Sequence, residues 1–229
     1  MIFTPHPDFA VRKSSIGREQ APLLVIDNVL ANPEQLVDLA AAKRFVDDAT
    51  HFPGIRAKAP LSYQQFVLEQ MRALFDEAFG AQTGTRRFTA CHFSLVTTPP
   101  EELSHLQCIP HIDSMSGDEL AFVHYLFERD LGGTAFYRHR HTGFEVITPA
   151  REAEYFRHTA AEQAGPDKPQ RGYIDASTAL YEQTHSEAGV FNRMLVYRRN
   201  SLHSGSFVLP QALDPNPRTG RLTLNGFIA

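Results

Sequence analysis

The order of periodicities along this chain predicts an α+β fold, with helices bracing a β-sandwich or barrel core. Three observations carry that prediction. Two segments with helix-start signals lie between Asn32 and Gly80, strand-like runs dominate from Arg87 onward, and turn residues separate those runs. Helices first and many strands afterwards fit a layered α+β domain better than alternating βα units. The whole chain, 1–229, reads as one such domain.

The elements follow in order. Leu23–Leu24–Val25–Ile26 is a short apolar run ending at Asp27–Asn28, the pattern of a buried strand. Asn32 then offers an N-cap, with Pro33 at the first helical position and Gln35 three residues after the cap, predicting a helix to about Lys43. A second helix starts at Ser62 as cap, with Gln65 at N3. Its apolar face is Tyr63, Phe66, Val67, Met71, Leu74, Phe75 and Ala78, and Gly80 stops it. The predicted strands are Phe88–Val96, Ala121–Phe127, Thr134–Arg140, Met194–Tyr197, Gly205–Leu209 and Leu222–Ile228. Between them stand Thr98–Pro99–Pro100, Leu131–Gly132–Gly133 and Asp214–Pro215–Asn216–Pro217 as turns. Residues from about 145 to 191 break the strand series and read as a helical insertion near the site mouth. In it, Thr148–Pro149 caps a helix to about Gln163, Gly165 to Pro169 breaks it, and a second short helix lies near Ser177–Thr184.

Composition excludes several classes of function. With 42% apolar and 21% charged residues, and a net charge of -4, the chain has the balance of an ordinary folded protein. It lacks a general attraction for nucleic acid or anionic membrane. Two cysteines, Cys91 and Cys108, are too few for a disulfide framework or a cysteine zinc site and are expected to be reduced. No apolar run has membrane-spanning length and the N-terminus lacks a signal pattern, so the expectation is a cytoplasmic protein. No heptad or apolar stripe fixes an oligomeric state.

The residues with the clearest chemistry are His111–Ile112–Asp113. On a strand, i and i+2 point to one face, so both side chains can reach one cation. A third ligand from elsewhere completes a facial set of two imidazoles and a carboxylate, which suits non-haem iron(II) and leaves coordination positions open. The spacing alone is weak: with 11 His in the chain, chance supplies about half such a pair. A second pair, His6–Pro7–Asp8, lies in a proline-broken N-terminal segment and reads as surface. The pair at 111 and 113 has downstream partners. His203 follows the strand Met194–Tyr197, and Arg221 heads the last strand, where a guanidinium can grip a carboxylate through two parallel hydrogen bonds.

Taken together, His111-x-Asp113, Gly132–Gly133–Thr134–Ala135–Phe136, His203 and Gly220–Arg221 resemble the 2-oxoglutarate/iron(II) dioxygenase superfamily, especially its prolyl-4-hydroxylase-like branch. Val25–Ile26–Asp27–Asn28–Val29–Leu30 is similar to that branch's opening strand and helix approach. Phe52–Pro53–Gly54–Ile55–Arg56 and Phe191–Asn192–Arg193 are similar to a bacterial group within the superfamily. The resemblance implies a double-stranded β-helix (jelly-roll) core braced by the N-terminal helices. It implies Fe(II) held by His111, Asp113 and His203, and the far carboxylate of the co-substrate 2-oxoglutarate on Arg221. The activity implied is oxidation of an amino acid, peptide side chain or small metabolite, coupled to decarboxylation of 2-oxoglutarate to succinate. Asp113 favours hydroxylation over halogenation, because halogenating relatives vacate that position for halide.

Two departures leave alternatives open. The stretch from His203 to Arg221 is long, which makes Arg218 a rival for the salt bridge. The branch's usual Tyr upstream of the H-x-D is replaced by Phe93 or His92, so the second anchor of 2-oxoglutarate falls to Tyr125, Asn225 or Thr223. The tract Tyr137–Arg138–His139–Arg140–His141 reads as a solvated strand end rather than a substrate patch. Asn192 and Arg193 either orient substrate or cap a strand, and His92, His105 and His124 read as structural. Two other classes compete with the dioxygenase: a jelly-roll binding or regulatory protein without turnover, and a cupin-like metalloenzyme. The second lacks its His-x-His and would leave Arg221 without a task.

Overall fold

The computed structural model describes residues 2–47, 51–82, 84–166 and 168–229. In chain order the elements are β1 (Ala10–Ile16), β2 (Ala21–Asp27), α1 (Glu34–Ala41), β3 (Val46–Asp47), β4 (Gly54–Lys58), α2 (Leu61–Phe79), β5 (Phe88–Val96), β6 (Leu120–Tyr125), β7 (Gly133–His139), α3 (Glu152–Ala164), β8 (Tyr181–Ala188), β9 (Met194–Arg198), β10 (His203–Gly205) and β11 (Thr223–Ile228). An eight-stranded sheet in the order β1-β2-β9-β6-β11-β5-β4-β3 lies against a three-stranded sheet in the order β10-β7-β8. Neighbouring strands in both sheets run antiparallel.

The central strands are apolar on both faces because both faces are covered. In β2, β6 and β9, alternate residues go to different clusters. Leu24, Ile26, Phe122, Met194 and Val196 pack outward with α2 residues Tyr63, Phe66, Val67, Met71 and Phe75. Leu23, Val25, Ala121, Val123, Tyr125, Leu195 and Tyr197 face inward with Phe136 of the smaller sheet. The α2 positions recur at intervals of three and four, which is why this segment is a helix, and Gly80 with φ 89 ends it. Each fully buried large side chain of this kind contributes about 1.5–3 kcal/mol relative to exposure.

Register shows where the hydrocarbon interior stops. Arg56 lies opposite Ser94 and Ser94 opposite Thr223; one step along, Lys58 lies opposite His92 and His92 opposite Asn225. These residues share the inner face with Tyr125 and Val123. The β4-β5-β11 end of the sandwich is therefore lined by polar side chains.

Several element expectations need correction. Leu61 opens α2 behind an extended Pro60, so Ser62 sits in the first turn rather than at the cap. Pro33 precedes α1 and no side chain caps it, although Gln35 N–H still bonds the Asn32 carbonyl. The helix expected near Ser177–Thr184 is instead a loop that runs into β8 at Tyr181, a strand whose polar sequence holds no apolar alternation and which is stabilised by pairing with β7. Strand β10 ends at Gly205, because beyond it the Phe207 ring folds back over the glycine, where a Cβ would lie 2.4 Å from the ring. The tract Tyr137–His139 is buried, not solvated. His139 is sealed by α3, with Glu162 on Nε2 at 2.9 Å and Thr142 on Nδ1 at 2.9 Å, while Arg138 pairs with Glu145 and Glu182. Only Arg140 and His141 reach the surface. Helix α3 ends at Ala164 as the breaker run demands; Asp167 of that run lies outside the described residues.

Candidate metal centre

Backbone pairing brings the three predicted ligands together. His111 and His203 form an antiparallel bridge, each N–H bonding the other's carbonyl at 2.9 and 3.0 Å. His111 thereby extends the edge of the smaller sheet beyond β10. The Asp113 N–H then bonds the Arg199 carbonyl at 2.8 Å, which curls the carboxylate back toward both rings. Asp113 Oδ1 lies 3.8 Å from His111 Nε2 and Oδ2 lies 3.5 Å from His203 Nε2, with the ring centroids 4.4 Å apart. One donor atom from each of the three falls within 4.8 Å of the others.

The electrostatics favour lone pairs at that point. His203 Nδ1 contacts the Ser201 carbonyl at 2.9 Å. A carbonyl only accepts, so Nδ1 donates to it, and Nε2 is the ring nitrogen turned toward Asp113. For His111, burial, then neighbouring His203, pushes the imidazole down to about 4, while Asp113 pulls the other way. Half of its side-chain surface remains open, and the ring is neutral at neutral pH. The backbone carbonyl of Asp113 is braced by Arg199, whose Nη2 donates to it at 2.9 Å while Nη1 pairs with Glu119 at 2.7 Å. Tyr197 stands edge-on to His203, with centroids 4.7 Å apart. Burial first, then Asp113 and Tyr125, holds its phenol well above the usual range.

A second charged site lies three residues along β7. His203 pairs with Phe136, and Arg221 Nη2 donates to the Gly133 carbonyl at 2.7 Å. At roughly 3.3 Å per residue, the strand separates the two points by about 10 Å. Arg221 is 5% exposed, and among the described residues it has no carboxylate partner; its Nε has no hydrogen-bond partner. Phe207, Phe127 and Tyr125 rings surround the guanidinium, with centroids at 4.8, 5.4 and 5.7 Å. Burial lowers its pKa to about 10, so the charge survives at neutral pH. The Tyr125 hydroxyl bonds Thr134 Oγ1 at 2.7 Å, and burial pushes the phenol up to about 12. Gly132 and Gly133 permit this crowding. Gly132 has φ +90, and a Cβ on Gly133 would meet the Glu187 carbonyl oxygen at 1.9 Å.

Comparison with known proteins places the chain in context. A family of unknown function (DUF6445) matches residues 7–228. The chain belongs to the DUF6445 family. No curated protein gives a sequence match. Among solved structures, the DUF6445 chain resembles the non-heme alpha ketoglutarate dependent epimerase SnoN from nogalamycin biosynthesis. That match has a TM-score of 0.52 at 12% identity, over 92% of this chain and 78% of SnoN. It also resembles HygX from Streptomyces hygroscopicus with nickel and 2-oxoglutarate bound, with a TM-score of 0.51 at 13% identity, over 93% of this chain and 87% of HygX. HygX with iron bound gives a TM-score of 0.51 at 12% identity, over 94% and 87%. At these identities the likeness is one of fold.

The remaining predicted residues of this DUF6445 chain sort by position. Arg218 lies on the outside, paired with Asp38 at 2.8 Å, and leaves Arg221 as the buried cation. Thr223 and Asn225 are on the inner face, bonded to each other at 2.6 Å. Asn192, with φ 63, clamps Leu30 through both its amide atoms, and Arg193 pairs with Asp27, so this dipeptide ties strands rather than substrate. His124 is buried between Tyr63 and Asn192. His6 and Asp8 form an exposed turn away from the three-residue cluster. Sequence reasoning missed Arg199, Thr134, Tyr197 and Phe207. Arg199 and Tyr197 do occupy the i−4 and i−6 positions before His203, a signal available only once that histidine is placed. In the described residues, no helix is long and apolar enough to cross a membrane.

Proposed function

We propose that this chain is a 2-oxoglutarate- and Fe(II)-dependent oxygenase of the hydroxylase type, with His111, Asp113 and His203 as metal ligands. The two-sheet sandwich is read as a double-stranded β-helix of the prolyl-4-hydroxylase-like kind. The observation that carries the proposal is the pairing of a compact two-imidazole, one-carboxylate cluster with a buried guanidinium that has no counter-ion among the described residues. A buried unpaired charge is costly, and a dicarboxylate reaching from the cluster to Arg221 would supply its missing partner. The donor set fits ferrous iron, since two imidazoles and a carboxylate on one side leave the other side open. The solved proteins of like fold carry iron, or nickel with 2-oxoglutarate, which supports the same reading.

The chain's own residues divide the work. His111, Asp113 and His203 would hold the metal, and Arg199 keeps the Asp113 turn in place. Arg221 would fix the far carboxylate, with the neutral Tyr125 phenol beside it. Phe127 and Phe207 exclude water from that ion pair, which strengthens it. When bound, the metal and 2-oxo acid, with dioxygen as the oxidant, would supply oxidative decarboxylation to succinate and carbon dioxide, one oxygen atom entering succinate and the other the hydroxylated second substrate. The polar β4-β5-β11 wall would meet that substrate, an amino acid, peptide side chain or small metabolite.

The test is succinate release from 2-oxoglutarate with added iron(II), with and without candidate substrates, alongside anaerobic iron titration. The intact protein should bind one iron and turn over 2-oxoglutarate slowly. Asp113→Ala should weaken iron binding by at least about 100-fold, beyond the range of outer-sphere changes. Iron binding that ignores Asp113→Ala sinks the metal assignment. Iron binding without 2-oxoglutarate binding points instead to a binding or regulatory protein.

A further inference from the structure

The near end of the 2-oxo acid still needs a protein donor, and the hydroxyls around Arg221 are engaged. Tyr125 is bonded to Thr134, and Thr223 to Asn225 and the Ser94 carbonyl. Tyr197 differs. It lies on the inner face of β9, opposite Leu23 and Ala121, and is 2% exposed. Its ring is fixed edge-on against His203 at 4.7 Å and Phe136 at 5.1 Å. No described residue hydrogen-bonds its hydroxyl, which is also not among the fully sealed, unpaired polar atoms. A buried phenol normally finds a partner. This one keeps some accessible surface, on a ring set against His203 and within electrostatic reach of Asp113 and Tyr125.

We propose that Tyr197 is the second anchor of the 2-oxo acid, its hydroxyl donating to the carboxylate at the metal-chelating end while Arg221 holds the other end. The inference rests on the oxygenase reading above. It replaces the three alternatives left open by the sequence with a residue on the strand that leads to His203. It also explains why an aromatic there carries a hydroxyl, since the packing against His203 and Phe136 needs only the ring. Tyr197 would thus set the orientation of the chelate about the metal, whereas Arg221 sets its depth.

The experiment is calorimetric titration of 2-oxoglutarate into the nickel-loaded protein, comparing wild type with Tyr197→Phe. Nickel removes turnover from the readout. Loss of one hydrogen bond to a carboxylate should weaken binding about tenfold or more. Pyruvate, which has the chelating end but no far carboxylate, should lose by the same factor. Nickel affinity without the acid should not change. Equal 2-oxoglutarate affinity in the two proteins overturns the proposal and leaves the oxygenase reading standing. A loss of nickel affinity in the absence of the acid also overturns it, because the hydroxyl would then serve Asp113. If wild type loaded with nickel does not bind 2-oxoglutarate, the oxygenase reading itself fails. Tyr197→Met, which keeps apolar bulk without a donor, carries the same comparison should the phenylalanine variant fold poorly.

Discussion

A guanidinium held at 5% exposure with no carboxylate among the described residues works against the stability of the protein that carries it. Arg221 keeps one hydrogen bond to Gly133 and stacks among three aromatic rings, but these do not replace the lost hydration of a full charge. Two opposite effects of one substitution follow. Arg221→Met should leave the ligand-free protein as stable as wild type or more so, by up to about 1–4 kcal/mol, as when buried charges give way to apolar side chains of similar size. The same change should abolish the rise in melting temperature that 2-oxoglutarate gives the metal-loaded wild type. Chemical denaturation with and without the acid measures both. A variant destabilised by several kcal/mol would mean that Arg221 is a structural cation, and the anion-site reading would fall.

At the scale of elements, the cluster is assembled by a one-residue bridge and a turn rather than by a long strand. Arg199 holds that turn from three sides: its carbonyl accepts the Asp113 N–H, its Nη2 donates to the Asp113 carbonyl, and its Nη1 anchors Glu119. Arg199→Met should therefore lower iron affinity by about 10–100-fold, the range of outer-sphere partners, while the fold persists. Unchanged affinity in an iron titration would show that the turn holds itself. This construction also explains what was legible beforehand. The meeting of His111, Asp113 and His203 and the burial of Arg221 could be anticipated because their residue types and spacing carry chemistry, and β5, β6, β9 and β11 because burial on alternate or both faces writes itself into apolar residues. Strands β1 and β8 escaped notice, since AVRKSSI and YEQTHSEA are held by backbone pairing and ion pairs such as Arg12 to Glu187, which leave no apolar period. Strand β4 pairs beside β5, but only Ile55 and Ala57 join the core. The burial of Tyr137–His139 was hidden for a different reason: α3 covers it from a distance in sequence, with Glu162 meeting His139 across 23 residues.

For the molecule as a whole, the outer helical layer and the sandwich are tied by a buried polar relay as well as by hydrocarbon. The Asn192 side-chain oxygen is an acceptor, so His124 Nε2 donates to it at 3.2 Å and His124 Nδ1 accepts from the Tyr63 hydroxyl at 2.9 Å. Helix α2, strand β6 and the Asn192 turn, itself clamped to Leu30, thus depend on one neutral imidazole. Burial lowers the His124 pKa to about 4 from its ordinary 6.5, with the Asn192 hydrogen bond opposing. The sign of the linkage is then fixed. The unfolded chain takes up a proton that the folded chain refuses between those values, so the contribution is complete above pH 6.5 and is lost as pH falls toward 4. Its size over that window is about 3 kcal/mol. His124→Gln retains a donor and an acceptor but does not titrate, so its unfolding free energy should fall less steeply across the same window, by about one proton's worth of slope. His111 titrates in that range too, which is why the slopes of the two proteins are compared rather than either slope alone. Urea denaturation at intervals from pH 7 to about 4.5 measures the difference, and parallel curves for the two proteins would show that the relay is already broken, or already protonated, in the folded state.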